Sequence, residues 1–355
     1  MNKVTAIDAV RQDAGLFLHR LDLVQSRALF VRVAEKELRA ASFLDERLGI
    51  DGREAFWLPI GPLLDEARDT GESAQAPSFI FHIGHCGSTL LSRLLDLSAG
   101  VLGLREPLAL RELAVAERDR ESPLARVDPQ RLPMLSMLVM RLLGRKFQRN
   151  QRVVVKATSN CNILAERLLA EFPDVRTVLL YLPLERYLAT MLKAPNGARD
   201  ALTFAPDRLC YLHRRLGEDG LRLYRLAHAE TLALGWMAEL LRFHEVSQSG
   251  SGDRAMMLDF ENLLAAPEAQ LAAVCEHLRL PGVPTPAAST AMSDVLRAYA
   301  KKPDHAYSPA DREHDLALSR RKFGNDIALG LEWAEHLIAR HPQLESLAPL
   351  LGRAR

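Results

Sequence analysis

Lysine is scarce in this 355-residue chain: 8 of its 46 basic residues are lysine and 38 are arginine. A surplus of either charge is missing as well, because 45 acidic residues leave a formal charge of +1. Coating nucleic acid needs a basic surplus to replace phosphate counterions, so no nucleic-acid partner is expected. A charged, disordered tail is likewise excluded as the functional part. Cysteine is limited to Cys86, Cys161, Cys210 and Cys275, far apart and without metal-ligand spacing. A reduced, cytoplasmic protein holding no metal fits that usage. Three of the thiols read as small core residues, and Cys86 is set apart by the loop it sits in. The longest apolar stretch, 132–143, is interrupted by Ser136 and Arg141. No membrane-spanning helix is expected, and the N-terminus shows no continuous apolar core of a secretory signal.

What is present is alternation. Residues 1–75 read as a helical and irregular extension, whose last part, 61–77, is turn-rich and reads as a linker ending at Pro77. Short apolar runs at 78–83, 100–104, 152–156, 176–182 and 255–260 read as strands. Helical periodicity fills the intervals: 90–95, 108–120, 131–147, a helix capped at Asn160 or Asn162, 184–192 and a long amphipathic helix at 221–245. A further helix, with a proline near its start, follows the last strand. Continuous apolar strands separated by helices imply an α/β fold with a central parallel sheet flanked by helices in three layers. Such sheets bind ligands at the carboxyl ends of their strands, so residues just after each strand are the candidates.

The strongest local signal is HIGHCGSTLLSRLL, 82–95. Gly84 and Gly87 allow a tight loop with converging backbone N–H groups, and Ser88 and Thr89 open a helix whose N-terminus favours an anion. A Walker A loop is absent: Gly87 is followed directly by Ser88, and His82 stands where the first glycine would be.

Residues 82–95, followed by LREP at 104–107, resemble the P-loop sulfotransferase superfamily, in particular its bacterial branch. The resemblance continues through KATSN at 156–160, the segment 172–191 and the strand-plus-helix at 256–281. It implies a P-loop-type core at 76–300 and a C-terminal segment, 301–355, packing on or capping the nucleotide site. It also implies a co-substrate, 3′-phosphoadenosine 5′-phosphosulfate, cradled by Gly84, His85, Cys86, Gly87, Ser88 and Thr89. The family places lysine or arginine where this chain has His85, so His85 is itself a catalytic candidate, stabilising the leaving phosphate when protonated or donating a single hydrogen bond when neutral. Lys156, ending an apolar strand, is then the first candidate for the missing cation, and Glu106, just after a strand and before Pro107, for the base on the acceptor. His82, inside the strand, reads as a hydrogen-bonded core histidine.

In the register set by Pro183, the family's 3′-phosphate arginine and serine fall on Tyr181 and Ala189. Arg186 and Thr190, four apart on one helix, are candidates to replace them. Lys301 and Lys302 are candidates for the basic loop that closes the nucleotide site, and Asp259 and Glu261 read as structural anchors. The resulting expectation is sulfuryl transfer to a hydroxyl or amine of a small molecule, lipid or peptide. A P-loop phosphotransferase and a non-catalytic nucleotide- or anion-binding protein are the alternatives. Acceptor and oligomeric state stay open.

Overall fold

The computed structural model describes residues 3–69, 75–217, 220–281, 286–299 and 302–352. The chain begins with α1 (Lys3–Gln12), β1 (Leu16–Asp22), β2 (Arg27–Arg32), α2 (Glu35–Ala40), β3 (Ala55–Pro59) and α3 (Ile60–Asp69). The N-terminal part is helical in places, as expected, but has more regular structure than an irregular extension. It carries an antiparallel sheet in the order β1-β2-β3, and α3 occupies most of the stretch read as a linker. The runs LFLHRLD and RALFVR are short and lack clean alternation because most positions of β1 and β2 are buried. Periodicity does not separate such runs from buried helix.

The core continues with β4 (Ser78–His82), α4 (Ser88–Leu95), β5 (Val101–Arg105), α5 (Leu108–Asp119), α6 (Leu132–Leu143), β6 (Arg152–Lys156) and α7 (Leu164–Glu171). Next come β7 (Thr177–Tyr181), α8 (Leu184–Lys193), α9 (Pro195–Leu216), α10 (His228–Gln248), β8 (Ala255–Asp259), α11 (Phe260–Ala265) and α12 (Pro267–His277). Then follow α13 (Pro286–Arg297), a small pair β9 (Ala298–Tyr299) and β10 (Lys302–Ala306), α14 (Pro309–Arg340) and a 3₁₀ segment, Pro342–Leu351.

The five apolar runs form one parallel sheet in the order β5-β6-β4-β7-β8, the α/β architecture expected. Helices cover both faces, which is why these strands carry unbroken apolar sequence: every residue of β5 is buried, and so are four of five in β4, β6 and β7. The expected amphipathic helix at 221–245 is replaced by a 3₁₀ turn at Leu223–Arg225 and by α10, which starts at His228. Glu230 accepts from the Ala227 N–H at 2.7 Å and sets that start. Fourteen of the 21 residues of α10 are buried, among them Trp236, whose Nε1 donates to the Leu182 carbonyl at 2.8 Å. The single proline-bearing helix expected after β8 is two helices, because Ala266 and Pro267 break the chain between α11 and α12.

The N-terminal part is tied to the sheet by Arg105, the last residue of β5, whose side chain is fully buried. Its guanidinium pairs with Asp96 and donates to the carbonyls of Arg39 and Ala41, both at 3.0 Å. Its own carbonyl accepts from the Leu44 N–H at 2.7 Å. Removing one partner of such a buried pair strands the other, so Arg105→Ala is expected to cost about 3–5 kcal/mol. A urea unfolding midpoint unchanged from wild type would contradict this.

Candidate functional site

The loop after β4 is shaped by His82. Its Nδ1 accepts from the Gly84 N–H at 2.9 Å, so its Nε2 carries the proton and donates to the Ala157 carbonyl at 2.8 Å. Asn162 brackets the same residue, accepting its N–H at 3.3 Å and donating to its carbonyl at 3.0 Å. Asn162 also donates to Glu239 at 2.9 Å, and Glu239 pairs with the buried Arg208. His82 is thus a hydrogen-bonded core histidine that holds the loop.

The loop itself runs through left-handed backbone at Gly84 (φ +85°), His85 (φ +52°) and Gly87 (φ +79°) before α4 begins at Ser88. Left-handed residues leading into a helix N-terminus make an anion nest of backbone N–H groups. Gly87 is required twice over. Its φ favours glycine, and a Cβ there would fall inside the ring of Phe260. At Gly84 a Cβ would find its nearest neighbour, Ser159 Oγ, at 3.7 Å, so only the backbone conformation asks for glycine.

Beside the loop lies a cavity of about 370 Å³, with His85, Ser88 and Thr89 in its wall. Two strand-end residues join them. Lys156 ends β6 with only 1% of its side chain exposed, and its ammonium pairs with Glu106. Glu106 follows β5 in left-handed backbone (φ +55°) and donates its N–H to the Lys156 carbonyl at 2.7 Å. Among the described non-glycine residues with positive φ, His85 and Glu106 both line this cavity, and such strain collects where a side chain has to be aimed. The second carboxylate oxygen of Glu106 is 3.7 Å from Arg47, which pairs with Asp45 and stacks on Phe43 at 3.3 Å. Thr158 Oγ1 is buried on the same wall with no hydrogen-bond partner among the described residues.

Other expected residues fall elsewhere. The Cys86 thiol is fully buried and directed at the Leu180 carbonyl, 3.5 Å away, so only its backbone belongs to the loop. Of the three thiols read as core residues, Cys161 and Cys275 are buried and Cys210 is exposed. Thr190 lines the cavity and donates to the Arg186 carbonyl at 2.8 Å. Arg186 does not line it and pairs instead with Glu313 at 2.7 Å and Glu261 at 3.8 Å. Tyr181 ends β7 opposite Asp259, its phenol pushed up to about 12 by burial and by that carboxylate. Ala189 is buried and its carbonyl accepts from Ser319 at 2.6 Å. Asp259 caps α11 through the Glu261 N–H at 2.8 Å. Lys301 and the side chain of Lys302 lie outside the described residues.

The structure adds cations that sequence reasoning passed over. Lys193, ending α8, reaches the cavity wall paired with Asp315 at 2.8 Å. Arg312 of α14 pairs with Glu261, lies 5.3 Å from the Phe260 ring and lines the same wall. Scarcity marks Lys193, as one of 8 lysines at the end of a helix. Nothing in the sequence distinguishes Arg312 among 38 arginines.

No family model matches the chain, and no curated protein does. Solved structures similar to it include a sulfotransferase from Alicyclobacillus acidocaldarius, at 14% identity over 74% of this chain and 96% of that one, with a TM-score of 0.35. Sulfotransferase STF9 from Mycobacterium avium is 12% identical over 90% and 96%, with a TM-score of 0.38. STF1 from Mycobacterium tuberculosis is 18% identical over 74% and 81%, with a TM-score of 0.33. Likenesses of that size assign nothing to this chain.

The loop geometry yields a paired expectation. Gly87→Ala combines left-handed strain with overpacking against Phe260 and is expected to cost about 3 kcal/mol. Gly84→Ala is expected to cost only the conformational part, about 1 kcal/mol. Thermal unfolding of the two variants measures the difference, and equal losses would refute the role given to Phe260.

Proposed function

We propose that this chain is a sulfotransferase that moves a sulfuryl group from 3′-phosphoadenosine 5′-phosphosulfate to a hydroxyl or amine. The observation that carries this reading is the meeting of three groups at one sheet edge. These are a left-handed phosphate-type loop, a buried lysine and a strained glutamate, all on one cavity. Sulfuryl transfer asks the protein mainly to position the donor and neutralise charge, much as phosphoryl transfer does. The resemblance of residues 82–95 to the sulfotransferase loop supports the choice of sulfuryl over phosphoryl, as does the lack of a lysine in the loop.

In this reading the backbone N–H groups of 84–89, with Ser88 and Thr89, hold the donor's 5′-phosphate. Lys156 and His85 face the oxygen that bridges phosphate and sulfate. The acceptor oxygen or nitrogen forms a bond to sulfur as the bridging oxygen–sulfur bond breaks. Its proton passes to Glu106, and adenosine 3′,5′-bisphosphate leaves with the negative charge. Lys193, Arg312 and Thr190 are the groups on the cavity wall suited to the 3′-phosphate. Lys156 and Glu106 neutralise each other in the structure, so Lys156 has to turn from the carboxylate toward the donor for both to act.

Thermal-shift titration tests the reading. Adenosine 3′,5′-bisphosphate is expected to stabilise the protein more than adenosine diphosphate or ATP with magnesium, by about 2.7 kcal/mol at a hundred times its Kd. No stabilisation by the bisphosphate would sink the sulfotransferase reading, and a preference for ATP with magnesium would favour a phosphotransferase.

A second measurement addresses the residues, following bisphosphate release from the donor with a panel of alcohols, phenols and amines. Glu106→Gln is expected to lower turnover about 10²–10⁴-fold while the bisphosphate still binds. Lys156→Ala is expected to lower turnover at least as far. Unchanged turnover in either variant removes that residue from its role.

A further inference from the structure

The opposite end of the same sheet holds a second pocket, of about 170 Å³, at the amino ends of β4, β6 and β7. A five-residue strand, about 16 Å long, separates it from the loop. Lys146, Arg152, Arg176 and Arg279 line it, against a single carboxylate, Asp174. That excess is out of character for a chain with 46 basic and 45 acidic residues, in which arginines such as Arg186, Arg208, Arg312 and Arg320 are each paired with glutamate. Here, among the described residues, Lys146 donates only to the amide of Gln75 at 3.1 Å, and Arg176 only to the His277 carbonyl at 3.2 Å. Arg152 and Arg279 have no ion-pair or hydrogen-bond partner through their side chains among the described residues.

Arg279 is a second, independent sign. The end of α12 is a Schellman closure: the Leu280 N–H donates to the Cys275 carbonyl at 2.9 Å and the Arg279 N–H to the Glu276 carbonyl at 3.0 Å. This closure puts the residue after the cap in left-handed backbone, a place ordinarily filled by glycine. Arginine stands there instead, at φ +52°, and carries the conformational cost that glycine would avoid. The strain is retained together with the cation it presents to the pocket.

We infer that this pocket is a binding site for a small phosphate-type polyanion, of the class of inorganic pyrophosphate or a terminal diphosphate. The volume suits an anion of that size rather than a whole nucleotide. Four cations and Asp174 leave a net charge of +3, which a ligand of three negative charges would neutralise. Burial first, and then the neighbouring Arg152, hold Lys146 below the usual lysine range. Burial and Arg279 act in the same direction on Arg176. The inference stands independently of the sulfotransferase reading, because no residue of this pocket lines the loop cavity.

Calorimetric titration of the full chain with inorganic pyrophosphate tests it. His85→Ala/Ser88→Ala weakens the loop at the far edge, and pyrophosphate is expected still to bind this variant. Adding Arg152→Gln/Arg279→Gly is expected to weaken that binding at least tenfold. Arg279→Gly relieves left-handed strain, so the melting temperature should not fall, which separates lost binding from lost folding. Inorganic phosphate, with fewer charges, is expected to bind more weakly than pyrophosphate. Loss of pyrophosphate binding in the loop variant alone, or binding undiminished by Arg152→Gln/Arg279→Gly, would overturn the inference.

Discussion

Two buried cations stand side by side at the carboxyl edge of the parallel sheet, and much of the structure follows from their need for partners. Arg105 and Lys156 are register neighbours on β5 and β6, with side chains 0% and 1% exposed. An unpaired charge cannot stay there, because the desolvation cost is several kcal/mol per ion. Arg105 finds Asp96 and two carbonyls of the N-terminal part, which fastens the antiparallel sheet region to the parallel one. Lys156 finds Glu106, the residue immediately after Arg105, and Glu106 takes up left-handed backbone where it meets that lysine. The anchoring pair and the Lys156–Glu106 pair on the cavity wall are therefore adjacent at one sheet edge.

Beneath the loop runs a second chain of satisfied polar groups. His82, Asn162, Glu239 and Arg208 connect the end of β4 to α9 and α10 through buried hydrogen bonds. Every donor on His82 and Asn162 in this chain has an acceptor, a condition for polar groups to remain buried without penalty. The loop after β4 thus rests on a floor of buried hydrogen bonds, while Phe260 closes over Gly87 from β8's side of the sheet. Loop geometry of this kind needs support from several elements, and here β4, β6, α10 and α11 each supply part of it.

The strands of the core were legible because they are short, buried on both faces and bounded by glycine, proline or charge. The loop was legible because glycine and hydroxyl residues follow a strand directly. The N-terminal antiparallel sheet was not, since its runs are too short to show a period and its first strand packs on the distant helices α5 and α6. The side chains around the cavity divide in the same way. Lys156 and Glu106 stand immediately at strand ends, where the position of the backbone fixes the place of the side chain. Arg312 comes from α14, more than 200 residues after the loop, and packing of that helix on α8 and α10 brings it to the same wall.

The sequence alone determined the alternation of strand and helix, the near-even balance of charge, and the loop's place after the first core strand. These are local matters of periodicity, composition and backbone freedom. Tertiary structure decided which cations face the cavity, that Cys86 turns into the core while Cys210 stays exposed, and that Arg186 spends its charge on Glu313 and Glu261. It also decided that four basic residues scattered from 146 to 279 share one pocket at the opposite end of the sheet. Side-chain direction and partner choice depend on elements distant in the chain, and the pairing of charges in three dimensions leaves no mark on a balance of 46 against 45.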